Sequence, residues 1–168
     1  MDNVAARRQR ITAARAGFLA TGSAHESAVP NAVTASWYRS RSAGVDASTS
    51  QASFHSDLDI SSRLVRCSRP IIDRLSEETI NIPLSIAVTD GKARLLNRVA
   101  NSRTIGRRLD DVSYAPGVGY AEGGMGTSGV GRVDASGQPH QIVGPEHCDR
   151  GPQPCTGCGT ANCDTRRG

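Results

Sequence analysis

The sequence has almost no lysine and few aromatic residues. Lys92 is the single lysine among 20 basic residues, which leaves nineteen arginines, and aromatic residues make up 4% of the chain. A phosphate-binding loop of the P-loop type needs a lysine after its glycine-rich turn, so the sequence excludes that motif. The scarcity of aromatic side chains and the apolar fraction of 37% predict a modest hydrophobic core.

Long apolar segments are also lacking. No stretch approaches the roughly 20 apolar residues of a membrane-spanning helix, and the Arg-rich N-terminus has no apolar segment of the signal-peptide kind. The 20 basic and 16 acidic residues are interspersed, without a separate basic arm. We therefore expect a cytoplasmic chain that does not contact membranes and does not bind DNA with sequence preference.

Glycine, by contrast, is concentrated in one stretch. Residues 114–131 (YAPGVGYAEGGMGTSGVG) hold seven of the 18 glycines. Each glycine in a helix interior costs roughly 1 kcal/mol relative to alanine, so the stretch predicts loops or a close backbone approach. Gly124, Gly126 and Gly129 fit G-x-G-x-x-G, but the glycines before them cannot form the buried strand that dinucleotide binding requires.

The periodicity of the remaining residues predicts an α+β fold. Apolar residues at helical spacing predict helices over residues 3–20, 30–42 and 58–79. Strands over residues 84–89 and 93–99 flank Asp90 and Gly91, a turn signal typical of a hairpin. A short helix over residues 125–135 and a strand over residues 138–143 follow. Cys67 lies on the apolar face of the third helix and is predicted to be an inert core thiol.

These elements predict three regions along the chain. Residues 1–80 form an N-terminal helical region, residues 81–147 a domain with a partial antiparallel sheet, and residues 148–168 an irregular tail rich in cysteine and glycine. A sheet of two or three strands is marginally stable in water. We therefore expect residues 101–168 to be poorly ordered, with no regular structure after His147.

Three segments resemble one known family. Residues 109–131 (LDDVSYAPGVGYAEGGMGTSGVG) are similar to the middle of a GAF domain, of the kind found at the front of bacterial enhancer-binding transcription regulators such as the acetoin-catabolism regulators. Ser128 and Val130 replace the family's asparagine and isoleucine. Residues 36–46 (SWYRSRSAGVD) resemble the S-W-x-R-S-x-x-x-G-V-D signature that precedes the domain, and residues 143–147 (VGPEH) resemble its V-x-G-x-E-H segment.

This resemblance implies the signal-sensing part of a bacterial transcription regulator. In such a GAF-like fold, a glycine-rich loop and a short helix cover a partial antiparallel sheet and close a pocket for a small-molecule effector. Tyr120, Glu122, Thr127 and Ser128 match positions expected near that ligand. The resemblance implies no enzymatic activity and no cofactor, and it allows a homodimer or a partner regulator.

The sequence after His147 departs from the family pattern. The family's later strands, its ATPase module and its helix-turn-helix have no counterpart in the sequence, which leads to the expectation of a truncated or frame-shifted product.

An alternative interpretation is a small zinc-binding interaction protein. Four residues near the C-terminus could supply the ligands: His147, Cys155, Cys158 and Cys163. Cys155 and Cys158 have zinc-ligand spacing, but a second such pair is lacking. We therefore expect no stoichiometric zinc, although the alternative stays open.

Overall fold

The computed structural model describes residues 4–24, 29–45 and 52–147, together with the backbone of residues 158–160. Helices at the N-terminus precede small antiparallel sheets, so the predicted α+β class is confirmed. In the part of the chain described, no helix is long and apolar enough to cross a membrane.

The contacts within the chain define two units. Unit 1 combines Met1–Gln51 with Ala121–Gly168, and unit 2 is Ala52–Tyr120. The glycine-rich stretch is therefore divided after Tyr120. The boundaries predicted at residues 80 and 147 do not coincide with this grouping, and as statements about domains they stay predictions.

Among its described residues, unit 1 has four helices, a 3-10 turn and two short strands. They are α1 (Val4–Thr21), α2 (Asn31–Ser42), α3 (Glu122–Met125), α4 (Gly129–Ser136), β1 (His140–Ile142), the 3-10 turn Gly144–Glu146 and β2 (Cys158–Thr160). Gly126, at a φ of 77°, separates α3 from α4, where a single helix over residues 125–135 was predicted. Ser128 begins α4 because its hydroxyl accepts a hydrogen bond from the backbone N–H of Gly131.

The core of unit 1 lies between α1, α2 and β1. It is made of six buried residues: Ile11, Phe18, Val29, Val33, Trp37 and Ile142. The rings of Phe18 and Trp37 lie 5.3 Å apart at a tilt, which is a favourable aromatic geometry. Val4, seven residues before Ile11 on α1, is 83% exposed and does not join this core.

Trp37 ties the C-terminal segment of unit 1 to α2. Its indole Nε1 donates to the carbonyl oxygen of Glu146 at 2.8 Å, while the Glu146 carboxylate accepts from the backbone N–H of Val143 at 2.9 Å. These contacts hold residues 140–147 against the N-terminal helices. The expectation of poor order over this segment counted only the strands as packing partners, and it stays a prediction.

The prediction of an irregular tail is corrected in one place. Backbone residues Cys158–Thr160 form strand β2, which pairs antiparallel with β1 so that Ile142 opposes Cys158. The backbone hydrogen bonds of this pairing were not visible in the side-chain pattern, because glycine and cysteine give no alternation.

Unit 2 is built around the predicted hairpin. Its elements are α5 (Arg63–Glu78), β3 (Ser85–Thr89), β4 (Leu95–Ala100) and α6 (Arg103–Asp111). Strands β3 and β4 pair antiparallel, with Ile86 opposite Val99, and their register shifts near Thr89. Helix α5 contacts both strands and buries Ile72. Cys67 of α5 is exposed, so its prediction as a core thiol was wrong.

The first half of the glycine-rich stretch runs along β4. Leu95 and Gly117–Val118 exchange backbone hydrogen bonds at 2.9 Å, and Phe54 forms a bridge with Val118. Gly117 has a φ of 95°, and a Cβ there would come within 2.4 Å of the Phe54 ring. The stretch thus needs glycine both for its backbone angle and for a close approach, as the sequence indicated.

Candidate functional site

A buried carboxylate forms the centre of the candidate site in unit 1. Glu122 is the first residue of α3 and is only 7% exposed. Arg39 of α2 holds it with two hydrogen bonds, from Nε to Oε2 at 2.8 Å and from Nη2 to Oε1 at 3.1 Å. This forked geometry matches the shape of a carboxylate, so it fixes the direction of both side chains.

A second contact to the carboxylate comes from the same face of α2. The Ser36 hydroxyl donates to Oε1 of Glu122 at 2.5 Å and lies 2.8 Å from the Thr127 hydroxyl. Since the Ser36 proton is committed to the carboxylate, Thr127 donates to Ser36. Ser36 and Arg39 are three residues apart on a helix and therefore point the same way. The result is a relay of hydrogen bonds from Thr127 through Ser36 to Glu122.

A second arginine approaches from α4. Arg132 is 5% exposed, and its Nη1 lies 3.6 Å from Oε1 of Glu122. Its Nη2 lies 3.1 Å from Nε2 of His140, at the start of β1. The Ser136 hydroxyl lies 2.7 Å from the same nitrogen, so this nitrogen accepts a hydrogen bond from Arg132 or Ser136 in the tautomer that carries its proton on Nδ1. Burial lowers the pKa of His140 below its ordinary value of 6.5, and the positive charge of Arg132 lowers it further.

Two buried polar atoms beside this cluster have no hydrogen-bond partner in the described residues. They are Nε of Arg132 and the hydroxyl oxygen of Ser40, one helical turn after Ser36. Burial lowers the pKa of Arg132, and the Glu122 carboxylate opposes that shift. Buried groups of this kind are rare in folded proteins and point to a strained or ligand-binding position. We define Ser36, Arg39, Glu122, Thr127, Arg132 and His140 as the Glu122 cluster.

The four residues predicted from the family resemblance are placed differently by the structure. Glu122 and Thr127 lie together in the cluster. Ser128 is next to Thr127 in sequence but serves as the N-cap of α4. Tyr120 belongs to unit 2, where its hydroxyl donates to the carbonyl oxygen of Ser113 at 2.8 Å, and burial raises its pKa. A ligand-binding role for these residues stays a prediction.

Four members of the cluster were not predicted as site residues: Ser36, Arg39, Arg132 and His140. The signal for two of them was already in the sequence, because Ser36 and Arg39 belong to the S-W-x-R-S motif. That motif and the GAF-like segment 109–131 are far apart in sequence, with 83 residues from Arg39 to Glu122. The structure shows that they meet. Arg132 and His140 belong to neither motif.

The alternative metal site lies mostly outside the described residues. Cys155 and Cys163 lie outside the described residues, and of Cys158 only the backbone is described. Within the described ranges, no group of three or more His, Cys, Asp or Glu side chains is placed to hold a metal ion. The absence of stoichiometric zinc stays a prediction.

Comparison with known proteins identifies the chain. Residues 7–168 match the family described as "MimR, N-terminal domain", and the chain belongs to this family. It is 35% identical over 134 residues to the "Propane 2-monooxygenase operon transcriptional activator MimR" of Mycolicibacterium smegmatis, and 34% identical over 134 residues to the protein of the same name from Mycolicibacterium goodii. No solved structure matches the chain.

The alignment covers 80% of this chain and 23% of each of the two relatives. The chain therefore spans about a quarter of the length of these relatives and corresponds to an N-terminal region. Both relatives are named as transcriptional activators and neither as an enzyme.

Proposed function

We propose that this chain is the signal-sensing region of a bacterial transcription activator. The observation that carries the proposal is its membership of the MimR N-terminal domain family over residues 7–168, whose relatives named above are transcriptional activators. The GAF-like resemblance supports a sensing role. The chain acts in the cytoplasm, is not an enzyme, and does not itself read a DNA sequence.

The Glu122 cluster is the element that responds to the signal. It joins α2 to α3 and α4 through hydrogen bonds and an ion pair among charged groups, of which Glu122 and Arg132 are buried and Arg39 is half exposed. Burying such charges is expensive unless all of them are paired, so the cluster tolerates few arrangements. A ligand that changes one contact therefore changes which arrangement of α2 against α3 and α4 is favoured.

The effector is a small, mostly apolar molecule that carries one oxygen atom. The Nε of Arg132 needs an acceptor, and the hydroxyl of Ser40 can donate to one or accept from a hydroxyl group. An oxygen atom of the effector would satisfy one of these atoms. The relatives' printed name refers to a propane 2-monooxygenase operon, and oxygen inserted at the second carbon of propane gives propan-2-ol.

Binding is tested on the purified chain by amide hydrogen exchange with propan-2-ol as the probe. We expect slower exchange over residues 122–132, because the ligand stabilises the arrangement it binds. Propane is the matched probe without an oxygen, and it should have no such effect. Equal effects of the two probes, or no effect of propan-2-ol, would refute the effector proposed here.

The regulatory role is tested in the bacterium that carries the gene. Deletion of the gene should change the transcript levels of a small set of genes, and the native gene should restore them. Complementation with Glu122→Gln should fail, whereas Asp111→Asn, an exposed change in unit 2, should restore regulation. Unchanged transcripts in the deletion strain would overturn the proposed function, whatever the binding result.

A further inference from the structure

Two serines on one face of α2 offer the same chemistry to Glu122, but only one of them is used. Ser36 and Ser40 are four residues apart, so they lie about 6 Å apart along the helix axis and about 40° apart around it. Both are fully buried. The Ser36 hydroxyl donates to Oε1 of Glu122 at 2.5 Å, whereas the Ser40 hydroxyl has no hydrogen-bond partner among the described residues.

The unpaired hydroxyl of Ser40 lies on the side of α2 that faces α3. Ala43, the C-cap of α2, continues the line from Ser36 through Ser40, and a Cβ on Gly123 of α3 would lie 3.8 Å from the Cβ of Ala43. Helix α3 therefore passes Ser40 between its contacts with Ser36 and Ala43. A helical serine can donate to the carbonyl oxygen four residues back, here that of Ser36, but Ser40 does not make this bond.

The other groups around the carboxylate can serve both serines. Arg39 lies about 1.5 Å from Ser40 and about 4.5 Å from Ser36 along the helix axis. Its guanidinium is half exposed and holds Glu122 by both oxygens, so it can follow the carboxylate from one serine to the other. If the carboxylate leaves Ser36, the Ser36 hydroxyl keeps the Thr127 hydroxyl as its partner at 2.8 Å. With Glu122 at Ser40, both serine hydroxyls are therefore paired.

The backbone around Glu122 allows such a displacement. Helix α3 has four residues, of which Gly123 and Gly124 carry no side chain that would hold them in place against α2. Gly126 ends the helix at a φ of 77°, a conformation that favours glycine. Sliding of packed helices and one-turn steps of one element past another are known forms of conformational switching.

We propose that Ser36 and Ser40 are alternative partners of the Glu122 carboxylate, and that unit 1 switches between two arrangements in which α3 is displaced along α2. In the second arrangement Ser40 donates to Glu122 and Ser36 donates to Thr127. As the step by which the effector acts, the switch rests on the proposed function, because a Ser40 hydroxyl that donates to an effector oxygen has no proton left for Glu122. As a property of unit 1, the switch requires no effector.

NMR relaxation dispersion on the purified chain without effector tests the switch. Helix shifts of this kind take place on the μs–ms timescale that the method detects. We expect dispersion at the backbone amides of residues 36–40 and 122–127 in the native chain. Ser40→Ala removes the second partner and should abolish this dispersion. Ser42→Ala, the same change at an exposed position of α2, should leave it as in the native chain.

Ser36→Ala is the converse variant, because it leaves Ser40 as the serine that donates to Glu122. The differences between the amide shifts of Ser36→Ala and Ser40→Ala at residues 122–127 should equal the shift differences that dispersion gives for the native chain. If Ser36→Ala does not fold, the result for Ser40→Ala decides alone.

Urea unfolding separates the switch from a purely structural role of Ser40. The hydroxyl of Ser40 has no partner in the observed arrangement, so Ser40→Ala should unfold at the same urea concentration as Ser42→Ala or at a higher one. A clearly lower midpoint would show that the Ser40 hydroxyl stabilises the observed arrangement, and it would refute the proposal.

Two results from relaxation dispersion would also overturn it: a native chain without dispersion at residues 122–127 at any temperature, or dispersion in Ser40→Ala equal to that in Ser42→Ala. These measurements involve no effector and no transcript. Their failure would leave the proposed function standing, and unchanged transcripts in the deletion strain would refute the proposed function while leaving the switch intact.

Discussion

Replacing Glu122 by glutamine tests whether the Glu122 cluster holds unit 1 together. The substitution keeps the size of the side chain but removes its negative charge. Arg39 and Arg132 then lie near each other without a carboxylate, and Arg132 is 5% exposed. The amide NH₂ of glutamine also meets a guanidinium donor in place of an acceptor, so at least one of the hydrogen bonds from Arg39 is lost.

The size of this destabilisation follows from the interactions that remain after the substitution. Removing one partner of a buried ion pair costs about 3–5 kcal/mol. Arg39 is 46% exposed and regains water, and the glutamine oxygen still accepts from Ser36, so we discount the cost to about 2–3 kcal/mol. For a unit of this size that loss lowers the midpoint of thermal unfolding by about 10 °C or more.

Urea unfolding followed by the fluorescence of Trp37 measures the effect. Trp37 is the only tryptophan, is fully buried, and follows Ser36 on α2. The midpoint should fall while the urea dependence of the free energy stays the same. Asp111→Asn, which removes an exposed charge, is the control. If Glu122→Gln stays within about 0.5 kcal/mol of that control, the cluster does not stabilise the fold and the reasoning fails.

Three further predictions concern single residues. Because burial and Arg132 lower the pKa of His140, only the unfolded chain binds a proton just below pH 6.5. The free energy of unfolding should therefore decrease as the pH is lowered below 6.5. The substitution His140→Gln should flatten this pH dependence in urea titrations. Gly117→Ala should destabilise unit 2 by about 2 kcal/mol or more in calorimetry. Gly91→Ala should cost far less, because no atom lies within 4 Å of the position of its Cβ. Equal costs would contradict the close approach of Gly117 to the Phe54 ring. Burial raises the pKa of Asp90, but hydrogen bonds from Arg94 and Lys92 outweigh this effect, so the pKa is lowered. The ionised carboxylate therefore stabilises the hairpin above pH 3.8, and this stabilisation is lost as the pH falls through the lowered pKa. Asp90→Ala should speed amide exchange of the hairpin at about pH 7, and unchanged exchange would count against the turn contacts.

The sequence by itself determined most of the local structure. Periodicity identified the first two helices, the third helix and the hairpin around Asp90 to within a few residues, because these signals act over neighbouring residues. Within residues 114–131, Gly117 and Gly119 make the close approach that the glycines indicated, whereas four other glycines lie within α3 and α4. The motifs also pointed to Glu122 and Thr127, although not to the contacts these residues make.

Only the tertiary structure decided which sides of the helices are covered and which distant residues meet. The apolar spacing of α5 predicted a buried stripe, but the hairpin covers the side with Ile72 and leaves Ile71 exposed. Likewise, Arg132 and His140 belong to no motif, and Arg132 reaches both Glu122 and His140 because α4 and β1 pack in unit 1. Periodicity along one helix indicates that the helix has an apolar side. Contacts between residues far apart in the chain decide which element covers that side.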